Sequence, residues 1–417
     1  MNSNQTYKIN SKDELFQFVI TNWDQCNLFI DSYFTPSNTP FYTSVDIREA
    51  LHKLAPVDNN QYPAGFNNIC DKDKNHASVL MNDFFIMQDI GVDETIGLIP
   101  ESHTHNLFYL DHLFALKSII ANTGRKSIII SPDEDFVRAK ESLNLTSHSG
   151  HFLEIFHAMP NADGMMAITK ENKEPLRFCL LNHDQSKLLP IAWEKLKTKI
   201  FPTPAMGWFQ RQKNLHFELY HKVVLEFCDK FSVNPNLIEA KFKTVDQIDF
   251  LAKEGLDHLA EKFTELQKEI DYPSPKIFMK ASQGTYGMGI TVLESADEIL
   301  SMNRKTRNKM DVGKNNLKFN QILLQEGVET IVFHDGHPAE ITLYLIAGKT
   351  TGGFLRTNSL KDSLSNLNSK GMTYEKYCVC EIQQGNLKQA KIATYALVAR
   401  LSTAATALET DACKKII

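Results

Sequence analysis

The 417-residue sequence has no apolar run of the roughly 18 residues that a membrane span requires. Its first residues, Met1 to Lys8, are polar and lack the apolar core of a secretory signal. It also lacks a surplus of positive charge. Forty-five Lys and Arg against 50 Asp and Glu leave a formal net charge of -5. Nothing therefore draws the chain as a whole to nucleic acid or to an anionic membrane, and an anionic ligand must be held by local basic groups. Cysteine pairing is missing too. The seven cysteines are odd in number and scattered, which excludes the disulfide framework of a small secreted domain. Cys378 and Cys380 form the one close pair, without the second ligand pair a zinc site would want. There is no internal repeat and no low-complexity linker. What remains is the expectation of a soluble, cytoplasmic, reduced protein of two or three domains, with small molecules as partners and neither nucleic acid nor membrane.

Short apolar runs alternate with helical patterns through the first half. Asn27 to Phe34, Thr95 to Pro100, Ser127 to Ser131 and Leu176 to Asn182 read as strands. Leu107, Leu110, Leu113, Leu116 and Ile119 share one face of a helix ended by Asn122-Thr-Gly124. Pro132-Asp-Glu-Asp reads as another helix start. This alternation predicts a largely parallel sheet with covering helices. His216 to Gln267 reads as mostly helical. The last third returns to strands, at Phe319–Gln325, Thr330–His334, Ile341–Ala347 and Thr350–Leu355, with Gly336 and Gly348 at turns. Helices near Ser295–Met302 and Leu387–Leu408 are expected to cover them.

The stretch from Lys280 to Ile290 carries the most chemistry. A lysine precedes Gly284, Gly287 and Gly289, with an apolar run on either side. Strand, glycine loop and strand make a hairpin whose backbone N–H groups can approach an anion, beside a point charge for the same oxygens. The alternative is a hairpin whose glycines serve only turn geometry. No Gly-Lys-Ser/Thr follows, so it is not a Walker A loop, and a strand rather than a helix follows Gly289, so it is not a dinucleotide fingerprint. Downstream, Gln325-Glu-Gly-Val328 ends an apolar strand as an adenine hinge would, with Glu326 or Glu329 available to ribose. Arg356 ends another strand, where a buried charge needs a partner such as a transferring phosphoryl group or a structural carboxylate. The loop Ser365 to Gly371 offers Asn366, Asn368 and Lys370.

This order of parts resembles that of ATP-grasp enzymes, and Asn-Leu-Asn-Ser-Lys-Gly371 is similar to a loop of bacterial glutathione synthetases. Further blocks sharpen the resemblance. They are Phe41–Arg48, Pro56–Asn60, Tyr62–Asn68, Ile99–Asn106, Leu181–Ser186 and Gly207–Lys213. Together with the Lys280 hairpin they resemble a rare proteobacterial family of glutamate–cysteine ligases, from about residue 15 to Glu409.

The resemblance implies a fold and a reaction. Residues 1–215 would form a mainly parallel α/β substrate-binding domain. Residues 216–417 would form an ATP-grasp-like α+β nucleotide-binding domain with a helical insertion. ATP, with Mg2+, would phosphorylate the glutamate side chain, and the cysteine amine would displace the phosphate. Carried onto this chain, Lys280 faces the α- and β-phosphates, and Gly284, Tyr286, Gly287 and Gly289 form the lid. Gln325, Glu326, Val328 and Glu329 receive adenosine, and Arg356 faces the γ-phosphate. Lys370 contacts phosphate. Arg48, Asp46, Asp58, Asn60, Asn67 and Asn68 would hold glutamate, with Arg211 and Lys213 as a second basic patch. Many ATP-grasp proteins carry a Glu-x-Asn metal pair after the last long helix. Here the sequence stops at Ile417, so Glu340, Asn366 and Asn368, or an upstream acid such as Glu101, are expected as metal ligands. His105 stands where the family pattern leads one to expect arginine.

Overall fold

The computed structural model describes residues 7–101, 106–133, 142–169, 173–186, 188–273, 275–283, 289–311, 320–379 and 387–413. Their strands fall into three sheets. The central sheet is antiparallel throughout, in the order Met372–Lys376, Lys349–Asn358, His337–Ile346, Tyr42–Glu49, Leu54–Asn60, with Phe333–His334 paired to one end. Strand side chains alternate between faces, and the sequence uses that alternation. Val45, Ile47, Ile341, Leu343 and Leu345 enter a core shared with the helices Lys12–Thr21, Lys213–Phe231 and Leu387–Cys413. Ser44, Asp46, Arg48, Glu340, Thr342 and Tyr344 take the other face. Ala393, Ala396, Ala399, Ala404 and Ala405 are fully buried, so the last helix can lie close against its neighbours.

The second sheet is parallel through Lys199–Phe201, Phe178–Asn182, Thr95–Pro100, Lys126–Ser131 and Phe152–Asn161. It is extended by antiparallel strands at Ser142–Thr146, Gly164–Ile168 and Lys173–Leu176. The helices Asp71–Met87 and Leu107–Ala121 cover it. The third sheet, Phe242–Val245, Ile322–Glu326, Ile277–Ala281, Ile290–Leu293, is antiparallel and packs on the helix Leu256–Glu269.

Several sequence expectations need correction. Asn27 to Phe34 is not a strand: Trp23–Asp31 is a helix that buries Cys26 and Ile30, four residues apart. A short apolar run suits either period, and here the helical one packs. The mostly helical middle region also holds one short edge strand, Phe242–Val245, between its two helices. The strand near Leu176 is two strands broken at Arg177. Ala296–Leu300 packs on the third sheet, where Ile299 shares a core with Ile322 and Leu324, so of the strands of the last third it covers the first and not the central-sheet strands that follow. The helix start at Pro132 falls largely outside the described residues. A cut at residue 215 would pass through the central sheet, because Tyr42–Glu49 hydrogen-bonds to His337–Ile346.

Candidate active site

A cavity of about 770 Å³ is lined by residues from all three sheets. Its floor is the polar face of the central sheet, and register decides who meets whom. Asp46 lies opposite Asp58 on one neighbouring strand and Thr342 on the other, and Glu340 lies opposite Arg356. Arg356 Nη1 donates to Asp46 Oδ2 at 2.8 Å and to Glu340 Oε1 at 2.5 Å. Thr342 Oγ1 donates to Asp46 Oδ1 at 2.7 Å. Arg48 Nε donates to Glu340 Oε2 at 3.0 Å and its Nη2 to the Ser365 carbonyl at 2.6 Å. Burial would raise the Glu340 carboxyl, but Arg48 and Arg356 outweigh it and hold it below the usual range. Asp46 goes the other way: burial raises it, with Glu340 and Asp58 adding, and Arg356 only partly offsets this. The Arg356 Nε is buried, and among the described residues no group accepts its hydrogen bond.

Lys280 comes down from the third sheet. Its Nζ donates to Gln325 Oε1 at 2.7 Å and to the Val57 carbonyl at 2.8 Å. Burial pushes its pKa down to about 7; Asp58 works against that, and Lys213 and Arg48 add to it. Lys213 pairs with Asp58 and sits 5.0 Å from the centre of the Trp208 ring. The Asp58 carboxyl is held low: burial raises it, but Lys213 and Lys280 prevail.

The parallel strands point their C-terminal ends at the far end of the cavity, a common place for ligands in α/β sheets. Glu101 follows Thr95–Pro100, and Asn182 and Asp184 lie at the end of Phe178–Asn182. The Asp184 N–H donates to Glu101 Oε1 at 2.6 Å. His112 Nε2 meets Asn182 Oδ1 at 3.0 Å, and burial pushes its pKa down to about 4, so it is neutral at pH 7. The turn Phe66–Asn68 brings Asn67 and Asn68 to the same wall. Its entry, Gly65, has φ of 101°, and a Cβ there would lie 2.6 Å from Tyr344 Oη. Gly65→Ala is expected to cost about 1–3 kcal/mol of stability, read as a lower urea midpoint.

The sequence matches the family model described as glutamate-cysteine ligase over residues 17–410. The chain belongs to the glutamate-cysteine ligase family. Among solved structures it is similar to a provisionally assigned gamma-glutamylcysteine synthetase from Methylobacillus flagellatus KT. That match has 29% identity and a TM-score of 0.84, and covers 95% of this chain and 96% of the other. Weaker likenesses are D-alanyl-alanine synthetase A from Vibrio cholerae O1 biovar eltor str. N16961 and a glutathione synthetase-like effector from Globodera pallida. The first is 10% identical with TM-score 0.37 over 73% of this chain and 80% of that one. The second is 10% identical with TM-score 0.42 over 87% and 83%. No curated protein sequence matches. The protein is a ligase joining glutamate to cysteine, and ATP dependence follows from the family.

In this glutamate-cysteine ligase the cavity gathers most of the residues the sequence pointed to. Asp46, Arg48, Asp58, Asn60, Asn67, Asn68, Lys213, Lys280, Gln325, Glu326, Val328, Glu340, Arg356, Asn366 and Asn368 all line it. Gly284, Tyr286 and Gly287 lie outside the described residues, as does His105, and Gly289 is described with φ of 65°. Gly289 and three others are not brought to the cavity wall. Glu329 is exposed and accepts the Ser363 hydroxyl at 2.6 Å, so it is not placed to hold ribose. Lys370 points to solvent. Arg211 is a buried structural cation: its Nε and Nη2 donate to the two Glu409 oxygens at 2.8 and 3.0 Å. Two lining residues are held in ways that bear on their expected roles. Lys53 donates to both Glu326 oxygens, at 2.8 and 2.7 Å. Arg48 ties Glu340 to the Ser365 loop, which suits it less to a substrate carboxylate.

Sequence reasoning missed Thr342, Tyr344, Phe354, Tyr374 and Phe278, all of which line the cavity. A signal existed for most of them. Thr342 and Tyr344 follow Glu340 at intervals of two, Phe354 precedes Arg356 by two, and Phe278 precedes Lys280 by two, so each shares its neighbour's face.

Proposed function

We propose that the protein makes γ-glutamylcysteine in two steps inside this cavity. A glutamate γ-carboxylate oxygen attacks the γ-phosphorus of ATP, and ADP leaves with the former bridging oxygen. The cysteine amine then attacks the acyl carbon, an amide bond forms, phosphate departs and the amine loses a proton. What supports this reading most is that one cavity joins Lys280 and Arg356 to the Gln325–Val328 hinge at one end and to the Glu101–Asp184 strand ends at the other. Lys280 fits the phosphate oxygens, and Arg356, whose Nε no described residue accepts, fits the transferred phosphoryl group. Backbone groups of Glu326 to Val328 would meet adenine. The carboxylates of Glu101 and Asp184, with Asn67 and Asn68, suit the ammonium and polar groups of the amino acids. Holding two amino acids in line with the phosphate, away from water, is most of what such an enzyme needs to do.

A bound magnesium ion would supply charge neutralisation for the phosphoryl oxygens. The residues fit a hard cation. Asp46 and Asp58 are register partners, Asn60 is two residues further along the same strand, and all three line the cavity with oxygen donors. We assign the ion to Asp58 and Asn60 rather than to Glu340, Asn366 and Asn368. Both Glu340 oxygens already accept from guanidinium groups, both Asp46 oxygens accept from Thr342 and Arg356, and Asn366 Oδ1 accepts the Asn368 N–H at 3.0 Å.

Phosphate release from ATP tests the reaction. Release is expected only when glutamate and cysteine are both present, with γ-glutamylcysteine appearing one for one by mass spectrometry. Release with glutamate and a different amine, and none with cysteine, would refute cysteine as acceptor.

A further inference from the structure

We propose that Arg211 is a positioning residue, which keeps Asp58 and Asn60 turned to the cavity by gripping Asn59 between them from the opposite face. The proposal rests on the cation assignment above. Among the described residues Leu54–Asn60 is an edge strand, paired with Tyr42–Glu49 alone, and that pairing shifts register between Asp46 and Ile47. An edge strand with an irregularity is free to twist, and a slip of one residue would carry Asp58 and Asn60 to the wrong side. Something must fix its rotation beside the proposed ion.

Asn59 is that fixed point. It is 3% exposed. Arg211 Nη1 donates to its main-chain carbonyl at 2.8 Å, and Arg211 Nη2 to its Oδ1 at 3.1 Å. Thr406 Oγ1 donates to the same Oδ1 at 3.2 Å, and Asn59 Nδ2 donates to Ser402 Oγ at 3.0 Å. Arg211 is itself held by both oxygens of Glu409, and His216 bridges Glu409 at 3.2 Å to Ser402 at 3.1 Å. Ser402, Thr406 and Glu409 are spaced by four and three, one stripe of the helix Leu387–Cys413. This polar stripe on an otherwise alanine-rich helix thereby has a purpose. Arg211 also lies 4.9 Å over the Trp208 ring, whose other cationic neighbour is Lys213, the partner of Asp58.

A buried ion pair is a poor device for stability alone, since apolar residues of similar size often do as well. A rigid fork that binds a carboxylate on one side and a peptide carbonyl with its side-chain amide on the other fixes orientation, which neither lysine nor an apolar residue can copy. Groups that orient metal ligands typically change affinity by about 10–100-fold when altered.

Mn2+ is the probe, titrated into the full-length protein with a non-hydrolysable ATP analogue and followed by the loss of its free-ion paramagnetic resonance signal. Asp58→Asn serves as the reference. Arg211→Lys is expected to weaken Mn2+ binding by about 10–100-fold, with the affinity for the metal-free analogue unchanged and the rate recovering at saturating Mg2+. Thr406→Val, which removes one bond to Asn59, should move the same way by less, and it decides the matter if Arg211→Lys does not fold. If Asp58→Asn weakens Mn2+ binding while neither Arg211→Lys nor Thr406→Val does, even with lowered melting temperatures, the positioning role is wrong and the cation assignment stands. If Asp58→Asn leaves Mn2+ affinity untouched, the cation assignment fails and the positioning role with it.

Discussion

Arg356→Lys should leave a folded protein that binds ATP nearly normally but turns over about a hundredfold more slowly, or worse. An arginine facing a transferred phosphoryl group contributes about 10³–10⁵ in rate, and lysine returns the charge without the planar fork. The lysine variant is the informative one. Arg356 Nη1 stands between Asp46 and Glu340, at 2.8 and 2.5 Å. Alanine would leave two buried carboxylates short of a cation, and breaking a buried pair in this way costs about 3–5 kcal/mol. A loss of activity in Arg356→Ala would then mix folding with catalysis. The measurements are kcat, KM for ATP and a denaturation midpoint on both variants. Wild-type kcat in Arg356→Lys would remove the residue from the phosphoryl-transfer step.

Lys280→Ala should raise KM for ATP by about 10–100-fold, because a hydrogen bond to a charged group contributes about 1.5–3 kcal/mol. The site also predicts a pH signature. With no ligand, burial pushes Lys280 down to about 7, helped by Lys213 and Arg48. A triphosphate beside it favours the charged form and raises that value. ATP binding at pH 8 should therefore take up a proton. Affinity should be full below pH 7 and decline as pH rises through the free-state value, until the bound-state value is passed. Titration calorimetry in two buffers of different ionisation heat reads the uptake directly. Lys280→Ala should abolish the part due to this lysine; an unchanged uptake in that variant would exclude Lys280 as the phosphate lysine.

Much of the site was legible because strand chemistry is local. Lys280 beside a glycine hairpin, Arg356 at a strand end and the acids Asp46 and Asp58 could be picked out from spacing and side-chain type. All of them line one cavity. The architecture was less legible. Tyr42–Glu49 and Leu54–Asn60 read as part of an N-terminal unit, yet they complete a sheet whose other strands lie some three hundred residues away. Pairing across that distance leaves no periodic trace in either segment. The Asn27–Phe34 error has a similar source, since an apolar run of that length carries no period of its own.

The sequence by itself determined the chemical faces: which residues alternate toward solvent or ligand, where the backbone can turn, and the family to which those blocks belong. Only the tertiary structure decided which charges are free to act. Arg211 looked like a substrate contact and is held by Glu409, 198 positions away, whereas Arg356 shares its carboxylates and has one donor that no described residue accepts. A buried charge must be neutralised by whatever packs against it, and what packs against it is chosen by the fold rather than by its neighbours along the chain.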